Sequence, residues 1–323
     1  MLMRKFGITN VEVAPICLGG NVFGWTCDEA TSFAVLDAYV EGEGNFIDTA
    51  DVYSTWVPGH TGGESEAILG KWMRIRGNRD RIVLATKVGS HMGTGPNAQG
   101  LSRRYIMEEV EASLRRLQTD YIDLYQSHND DQDTPLEETM QTFEDLVRQG
   151  KVRYIGASNY TAARLREALQ VSDEHSYVRY ECLQPPYNLV NREAYERDLE
   201  PLCIEQKLAV ITYSSLASGF LSGKYRSNQA VPAGGRAQSV QSRYMNERGF
   251  AILEQVERIA AEHNATPTQV ALAWILARPS VTAPIVSATS VKQTQELLGA
   301  VDLQLDATAL APLAQASAWS VNA

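Results

Sequence analysis

Arg81-Ile82-Val83-Leu84-Ala85-Thr86-Lys87 is a short apolar run between charged ends. Beyond a loop comes Arg103–Leu117, whose apolar residues Tyr105, Ile106, Val110, Leu114 and Leu117 recur at helical spacing. A second short apolar run follows: Tyr121-Ile122-Asp123-Leu124-Tyr125-Gln126. A strand, a helix and a strand in that order imply a parallel pair, because parallel neighbours need a crossover. The short, continuous apolar character fits strands buried on both faces. Working outward, the same alternation fills the chain. Strand-like pieces occupy residues 14–18, 45–48, 81–87, 121–126, 152–157, 180–184, 209–213 and 283–286. Helical patterns occupy 31–43, 64–76, 103–117, 135–149, 161–170, 193–206 and a longer stretch, 246–276. Eight strands, nearly all followed by a helix, predict an α/β fold: a single (β/α)8 TIM barrel in which residues 1–323 form one domain. Residues 4–8 and 11–13, flanking Thr9-Asn10, read as a small hairpin ahead of the barrel. Ser102 reads as an N-cap, Asp133-Thr134-Pro135 as the next helix start with proline near its first position, and Gly150 as its stop. Residues 52–64 and 219–244 are long, rich in glycine, serine and tyrosine, and follow strand ends, which marks them as binding loops or lids.

The chain has 323 residues, 44% hydrophobic and 21% charged, with a formal net charge of −10. That acidity argues against nucleic acid or an anionic membrane as the main partner. The four cysteines, Cys17, Cys27, Cys182 and Cys203, show no metal or redox spacing and read as buried thiols. The N-terminus has no apolar signal core, and no run approaches the ~18 apolar residues of a membrane span, so a cytoplasmic location is expected.

In a β/α barrel the site lies at the carboxyl ends of the strands. The second strand ends in Asp48-Thr49-Ala50 with Tyr53 beyond, the third in Thr86-Lys87, and the fourth in Gln126-Ser127-His128. Singly these are bland: a strand-end aspartate is usually a cap, a lysine a solvated charge, a histidine a structural ring. Together they form a set able to tune one another. A phenol has an unperturbed pKa of about 10, which a neighbouring ammonium lowers. An aspartate would hold that lysine charged, and the histidine could hydrogen-bond a carbonyl oxygen. The combination suits proton delivery to a developing alkoxide.

The stretches Asn45-Phe46-Ile47-Asp48-Thr49-Ala50-Asp51-Val52-Tyr53, Ala85-Thr86-Lys87 and Asp123-Leu124-Tyr125-Gln126-Ser127-His128 resemble the aldo-keto reductases, in the branch of the potassium-channel β-subunits and bacterial general reductases. The resemblance runs along nearly the whole chain. It implies a nicotinamide-dependent enzyme that interconverts carbonyls and alcohols. Tyr53 would be its acid/base, Lys87 and Asp48 would tune that group, and His128 would orient the carbonyl. On the cofactor side it implies roles for Gly20, Asn21 and Asp48, and for Ser158, Asn159 and Gln184 at the carboxamide. Tyr213 would stack on the nicotinamide. Residues 213–225, with Ser214, Leu216, Ala217, Gly219 and Lys224, resemble the loop over the pyrophosphate; Ser215 stands where many relatives carry proline. Ser287, Thr289, Gln293 and Glu296 match adenosine-phosphate positions at a helix N-terminus. Leu297 stands where relatives usually have asparagine. Arg236 aligns with an arginine that grips a 2′-phosphate, which favours NADP(H) over NAD(H).

Residues 21–25, Trp56, His91 and Met92 would wall the substrate pocket, with Phe23, Trp25, Trp56 and His91 joining Tyr53 and His128 against the substrate. Two other patterns read as decoys. Gly93-Thr94-Gly95-Pro96-Asn97-Ala98 fits a loose phosphate-loop pattern, but Pro96 and Gly100 part it from the helix, so it reads as a mobile loop over the site. His128-Asn129-Asp130-Asp131-Gln132-Asp133 invites a metal, yet adjacent acids on one loop cannot all face one ion, so no metal is expected. Two alternatives stay open: an NAD-linked sugar or pyridoxal-type dehydrogenase, and a regulatory nicotinamide-binding subunit. Oligomeric state is not legible.

Overall fold

A computed structural model describes residues 1–93, 95, 98–226 and 237–319. Its centre is a closed barrel of eight parallel strands. These are β3 (Cys17–Gly19), β4 (Phe46–Asp48), β5 (Val83–Val88), β6 (Ile122–Ser127), β7 (Val152–Ser158), β8 (Tyr180–Gln184), β9 (Ala209–Thr212) and β10 (Ala283–Val286), and β10 closes on β3. The predicted (β/α)8 TIM barrel is the observed fold. Each predicted strand falls on an observed one, with ends differing by three residues or fewer.

The hairpin is present as β1 (Arg4–Lys5) paired antiparallel with β2 (Glu12–Val13). It closes the amino end of the barrel. Phe6 stands edge-on to Phe46, ring centroids 5.7 Å apart, and joins an inner cluster with Cys17, Ala85, Leu124, Cys182, Ala209 and Ala283. Small residues (Ala, Cys) fit there between the larger Phe6, Phe46, Leu124, Ile211 and Ile285, because eight strands leave an interior only wide enough for side chains to fill. Arg4 ties the hairpin down by donating to the carbonyls of Val281 and Leu276, both at 2.9 Å. A larger apolar layer lies between barrel and helices.

The helices are α1 (Glu29–Glu41), α2 (Glu64–Arg76), α3 (Arg103–Leu117), α4 (Leu136–Arg148), α5 (Ala162–His175), α6 (Glu200–Gln206), α7 (Ala237–Tyr244), α8 (Glu247–Glu262), α9 (Pro267–Leu276), α10 (Val291–Leu298) and α11 (Ala307–Ala316). Ser102 caps α3 as expected, while α4 begins one residue late, so that Pro135 occupies the cap and not the first helical position. The helix expected over 193–206 is divided: Tyr195–Leu199 is a π-turn that leads into α6. Pro201 explains it, since proline has no N–H for the carbonyl four residues earlier and its ring crowds that oxygen. The long stretch 246–276 is two helices, with Thr266 and Gln269 forming a capping box ahead of Pro267. The loop expected over 219–244 ends in α7, and its residues 227–236, Arg236 included, lie outside the described residues. Thr94, Pro96 and Asn97 of the decoy loop lie outside them too. All four cysteines are buried, unpaired thiols. Among the described residues no helix is long and apolar enough to cross a membrane.

Candidate active site

Alternate residues of a strand face the same side. On six barrel strands an inner apolar residue is followed two positions later by a polar one. Phe46 leads to Asp48, Ala85 to Lys87, Leu124 to Gln126, Cys182 to Gln184, Ile211 to Tyr213 and Ile285 to Ser287. Barrel closure therefore stacks a polar layer on the apolar plug, at the carboxyl ends of the strands.

Lys87 is the hub of this layer. Its fully buried Nζ donates to Asp48 Oδ2 at 2.6 Å, to the Thr49 carbonyl at 2.8 Å and to Tyr53 Oη at 2.8 Å. Burial works against the ammonium, but Asp48 and Tyr53 outweigh it and hold its pKa above the ordinary lysine value. The other oxygen of Asp48, Oδ1, accepts from Gln184 Nε2 at 2.9 Å and from Gln126 Nε2 at 3.2 Å. Tyr53 Oη lies 3.5 Å from Asp48 Oδ2. The structure corrects one expectation. Lys87 does pull the Tyr53 phenol down, but burial outweighs that pull and Asp48 opposes it, so the pKa is pushed up to about 12.

The ring of His128 stands edge-on to Tyr53, centroids 6.0 Å apart. Burial first, and Lys87 second, lower its pKa to about 3, so the imidazole is neutral. Its Nδ1 is 3.0 Å from Ser90 Oγ. Ser90 Oγ already accepts from Asn129 Nδ2 at 3.3 Å, and Asn129 Oδ1 accepts from Asn159 Nδ2 at 3.3 Å. The Ser90 hydroxyl keeps its proton free to donate to Nδ1, and that pairing goes with the tautomer whose proton is on Nε2. Sequence reasoning gave Gln126 and Ser90 no role. Gln126 had a signal, standing two residues before His128 on the same strand face; Ser90 had none, because its loop meets His128 only in space.

Trp56 packs edge-on against Trp25 at 5.5 Å and lies 6.1 Å from the Tyr53 ring, with about half of its surface (47%) open to solvent. His91 is exposed. Phe23 is not at the mouth: its side chain is fully buried, so it packs behind the wall.

Of the residues assigned to the cofactor, Gly20 donates to the Asp48 carbonyl at 2.7 Å, and a Cβ there would lie 2.9 Å from Ser65 Oγ. Ser287 donates to Asn21 Oδ1 at 2.5 Å. Ser158 and Gln184 are buried and joined by a 2.9 Å bond from the Ser158 hydroxyl to the Gln184 carbonyl. Asn159, at φ +58°, donates to the His128 carbonyl at 2.9 Å and accepts from Tyr213 Oη at 2.7 Å. Beyond β9 the backbone is left-handed at Ser214, Ala217, Ser218 and Gly219. Consecutive N–H groups in such a turn form a concave anion site. A Cβ on Gly219 would lie 3.1 Å from Lys224 Nζ, so the ammonium stands over that glycine's backbone. Leu216 is partly buried. At α10, Ser290 caps the helix, and Gln293 Oε1 accepts from the N–H and hydroxyl of Thr289 at 2.8 and 3.0 Å. Glu296 follows one turn later, its carbonyl held by Gln269 at 3.3 Å.

Two of the three acids after His128 have structural partners. Asp130 pairs with Arg164 at 2.9 Å, and Asp131 accepts from Leu101, Asp133 and Thr134.

Asp51 is the odd group of this region. It is fully buried, its Oδ1 accepts from Val52 N at 2.6 Å, and its Oδ2 has no hydrogen-bond partner among the described residues. Nearby, Glu66 and Glu109 share the guanidinium of Arg116. Burial, then Glu66 and Glu109, push the Asp51 carboxyl well above the usual range. The folded protein therefore keeps a proton that the unfolded chain releases above about pH 3.9, and stability falls as pH rises from there. Asp51→Asn should match wild type near pH 4 and be the more stable protein at pH 7. Denaturant melts at both values test this; a stability gap independent of pH would contradict it.

A model of the Aldo/keto reductase family matches residues 15–318. The Uncharacterized oxidoreductase YrpG of Bacillus subtilis (strain 168) is 37% identical over 306 residues, covering 93% of this chain and 91% of its own. Protein tas of Escherichia coli (strain K12) is 33% identical over 337 residues, covering 97% and 96%. A Probable voltage-gated potassium channel subunit beta of Arabidopsis thaliana is 33% identical over 312 residues, covering 94% and 92%.

Proposed function

The chain belongs to the aldo/keto reductase family, and from that premise we propose that it interconverts carbonyls and alcohols with a nicotinamide cofactor, Tyr53 acting as general acid/base. The observation that carries this reading is the buried contact of Lys87 Nζ with both Tyr53 Oη and Asp48 Oδ2. The donor set fits a dinucleotide: left-handed N–H groups and the Lys224 ammonium suit a diphosphate, and the start of α10 suits a further phosphate. Ser158, Asn159 and Gln184 would hold the carboxamide, Tyr213 the ring face, and Ser287, Thr289, Gln293 and Glu296 the adenosine end.

When bound, the nicotinamide supplies the hydride. The chain's residues supply the rest. His128, neutral and with its proton on Nε2, donates a hydrogen bond to the carbonyl oxygen and fixes its position. Tyr53 is protonated at neutral pH and transfers its proton to the oxygen as negative charge develops there. Lys87 stabilises the phenolate left behind, and Asp48 keeps the ammonium charged and aimed. In the oxidative direction Tyr53 takes the alcohol proton back.

NADP(H) is the preferred cofactor in this reading, through Arg236. Fluorescence quenching with NADPH and NADH, against wild type and Arg236→Ala, tests it. Tight NADPH binding that weakens about tenfold or more in the variant, with NADH little changed, is the expected result. Equal binding of both would favour an NAD-linked dehydrogenase, and binding of neither would overturn the cofactor reading. The likeness to a channel subunit supports a second reading, a regulatory nicotinamide-binding protein. Repeated turnover separates the two, because a sensor would transfer one hydride and stop.

A further inference from the structure

We propose that Asn188 is the positioning residue of the phosphate-binding loop, holding it in shape through the carbonyl of Ser214. The inference rests on the cofactor reading above, in which residues 214–219 face the diphosphate.

Asn188 follows β8 and is fully buried. A buried amide is costly unless its polar atoms are satisfied. Its Oδ1 accepts from Val190 N at 2.8 Å and Asn191 N at 2.9 Å, which closes a turn of its own segment. Its Nδ2 donates out of that segment, to the Ser214 carbonyl at 2.9 Å. The same carbonyl accepts from Ala217 N at 2.8 Å, so it is the pivot on which the loop turns.

The loop needs such a restraint. Ser214 (φ 54°), Ala217 (φ 49°) and Ser218 (φ 57°) all occupy the left-handed region, where side-chain-bearing residues are strained and persist only when surroundings over-determine them. Among the described residues, ties such as Ser215 Oγ to the Thr212 carbonyl and Gly219 N to the Leu216 carbonyl, each 2.9 Å, are local. Asn188 pulls from another strand's end, and its segment is itself fixed to β9. Tyr213 N donates to the Pro185 carbonyl at 3.0 Å, and Tyr187 N to the Tyr213 carbonyl at 3.2 Å. Ring, amide and loop are thereby set by one frame: the residue that would stack on the nicotinamide directly precedes the one that Asn188 holds.

The test is a binding cycle read by NADPH fluorescence quenching. Asn188→Ala should weaken NADPH about tenfold, the size of one lost buried hydrogen bond. Glycine takes the left-handed region without strain, so the same change in a Ser214→Gly background should weaken binding no more than about threefold. Asn188→Leu, close to the same size, removes the donor without adding a buried charge; it should bind as weakly as Asn188→Ala. Wild-type affinity in either Asn188 variant overturns the proposal, and so does an equal loss in both backgrounds. If wild type binds neither NADPH nor NADH, the cofactor reading fails and carries this assignment with it.

Discussion

Tyr53→Phe is expected to lower carbonyl reduction about a thousandfold or more while cofactor affinity stays within about twofold of wild type. The substitution removes one atom. The phenylalanine ring can keep the packing that Tyr53 makes with His128 and Trp56, at centroid distances of 6.0 and 6.1 Å. What would be lost, on the proposed mechanism, is the proton donor, and with it the group through which Lys87 would reach the developing alkoxide. The measurement is kcat/KM for reduction of 4-nitrobenzaldehyde, alongside cofactor titration. A variant that keeps more than about a tenth of wild-type turnover would remove Tyr53 from the chemistry. The pH dependence of wild type gives the same assignment a second check. With its pKa near 12 the phenol is protonated across the neutral range. Reduction, which on the proposed mechanism would consume the protonated form, should be flat from about pH 6 to 9. Oxidation of the alcohol, which needs the phenolate, should climb over that interval. A reduction rate that fell through pH 7 would point to His128 as the proton donor, contrary to its neutral state.

Why so much of this site was legible in one sequence follows from the period of a strand. Phe46-Ile47-Asp48 and Ala85-Thr86-Lys87 each set a polar residue two places beyond an inward apolar one, and that spacing turns both Asp48 and Lys87 toward the inside of the barrel near its carboxyl end. The strands were legible for a different reason, as short continuous apolar runs set between helical patterns. The rest depends on contacts across the closed barrel or between loops. Gln184 reaches Asp48 from β8, which is not a neighbour of β4. Ser90 and Asn129 meet His128 through two loops whose order no periodicity encodes. The π-turn at 195–199 was masked by an unbroken apolar pattern, and its one clue was Pro201. Burial explains the corrected tyrosine: charge partners can be listed from a sequence, but the solvent lost around a phenol cannot.

Lys87→Met is expected to cost both activity and stability, and the two losses separate. The Lys87–Asp48 pair is fully buried, and removing one partner leaves a carboxylate without its cation, which costs about 3–5 kcal/mol. Gln126 and Gln184 remain on Asp48 Oδ1, but neutral donors do not replace the charge. Activity should fall at least as far as in Tyr53→Phe, since the phenolate left after proton transfer would have no counter-charge. Adding Asp48→Asn to Lys87→Met removes the stranded charge while leaving an oxygen for the two glutamines. The double variant should recover most of the lost stability in urea melts and none of the turnover. That outcome would show that the two charges hold each other in the fold and that neutrality restored by Asp48→Asn does not replace the Lys87 ammonium beside Tyr53. If the double variant were no more stable than Lys87→Met, the ion pair would not be what holds this layer together. If Lys87→Met turned over normally, the geometry at Tyr53 Oη would have no catalytic meaning, whatever its effect on folding.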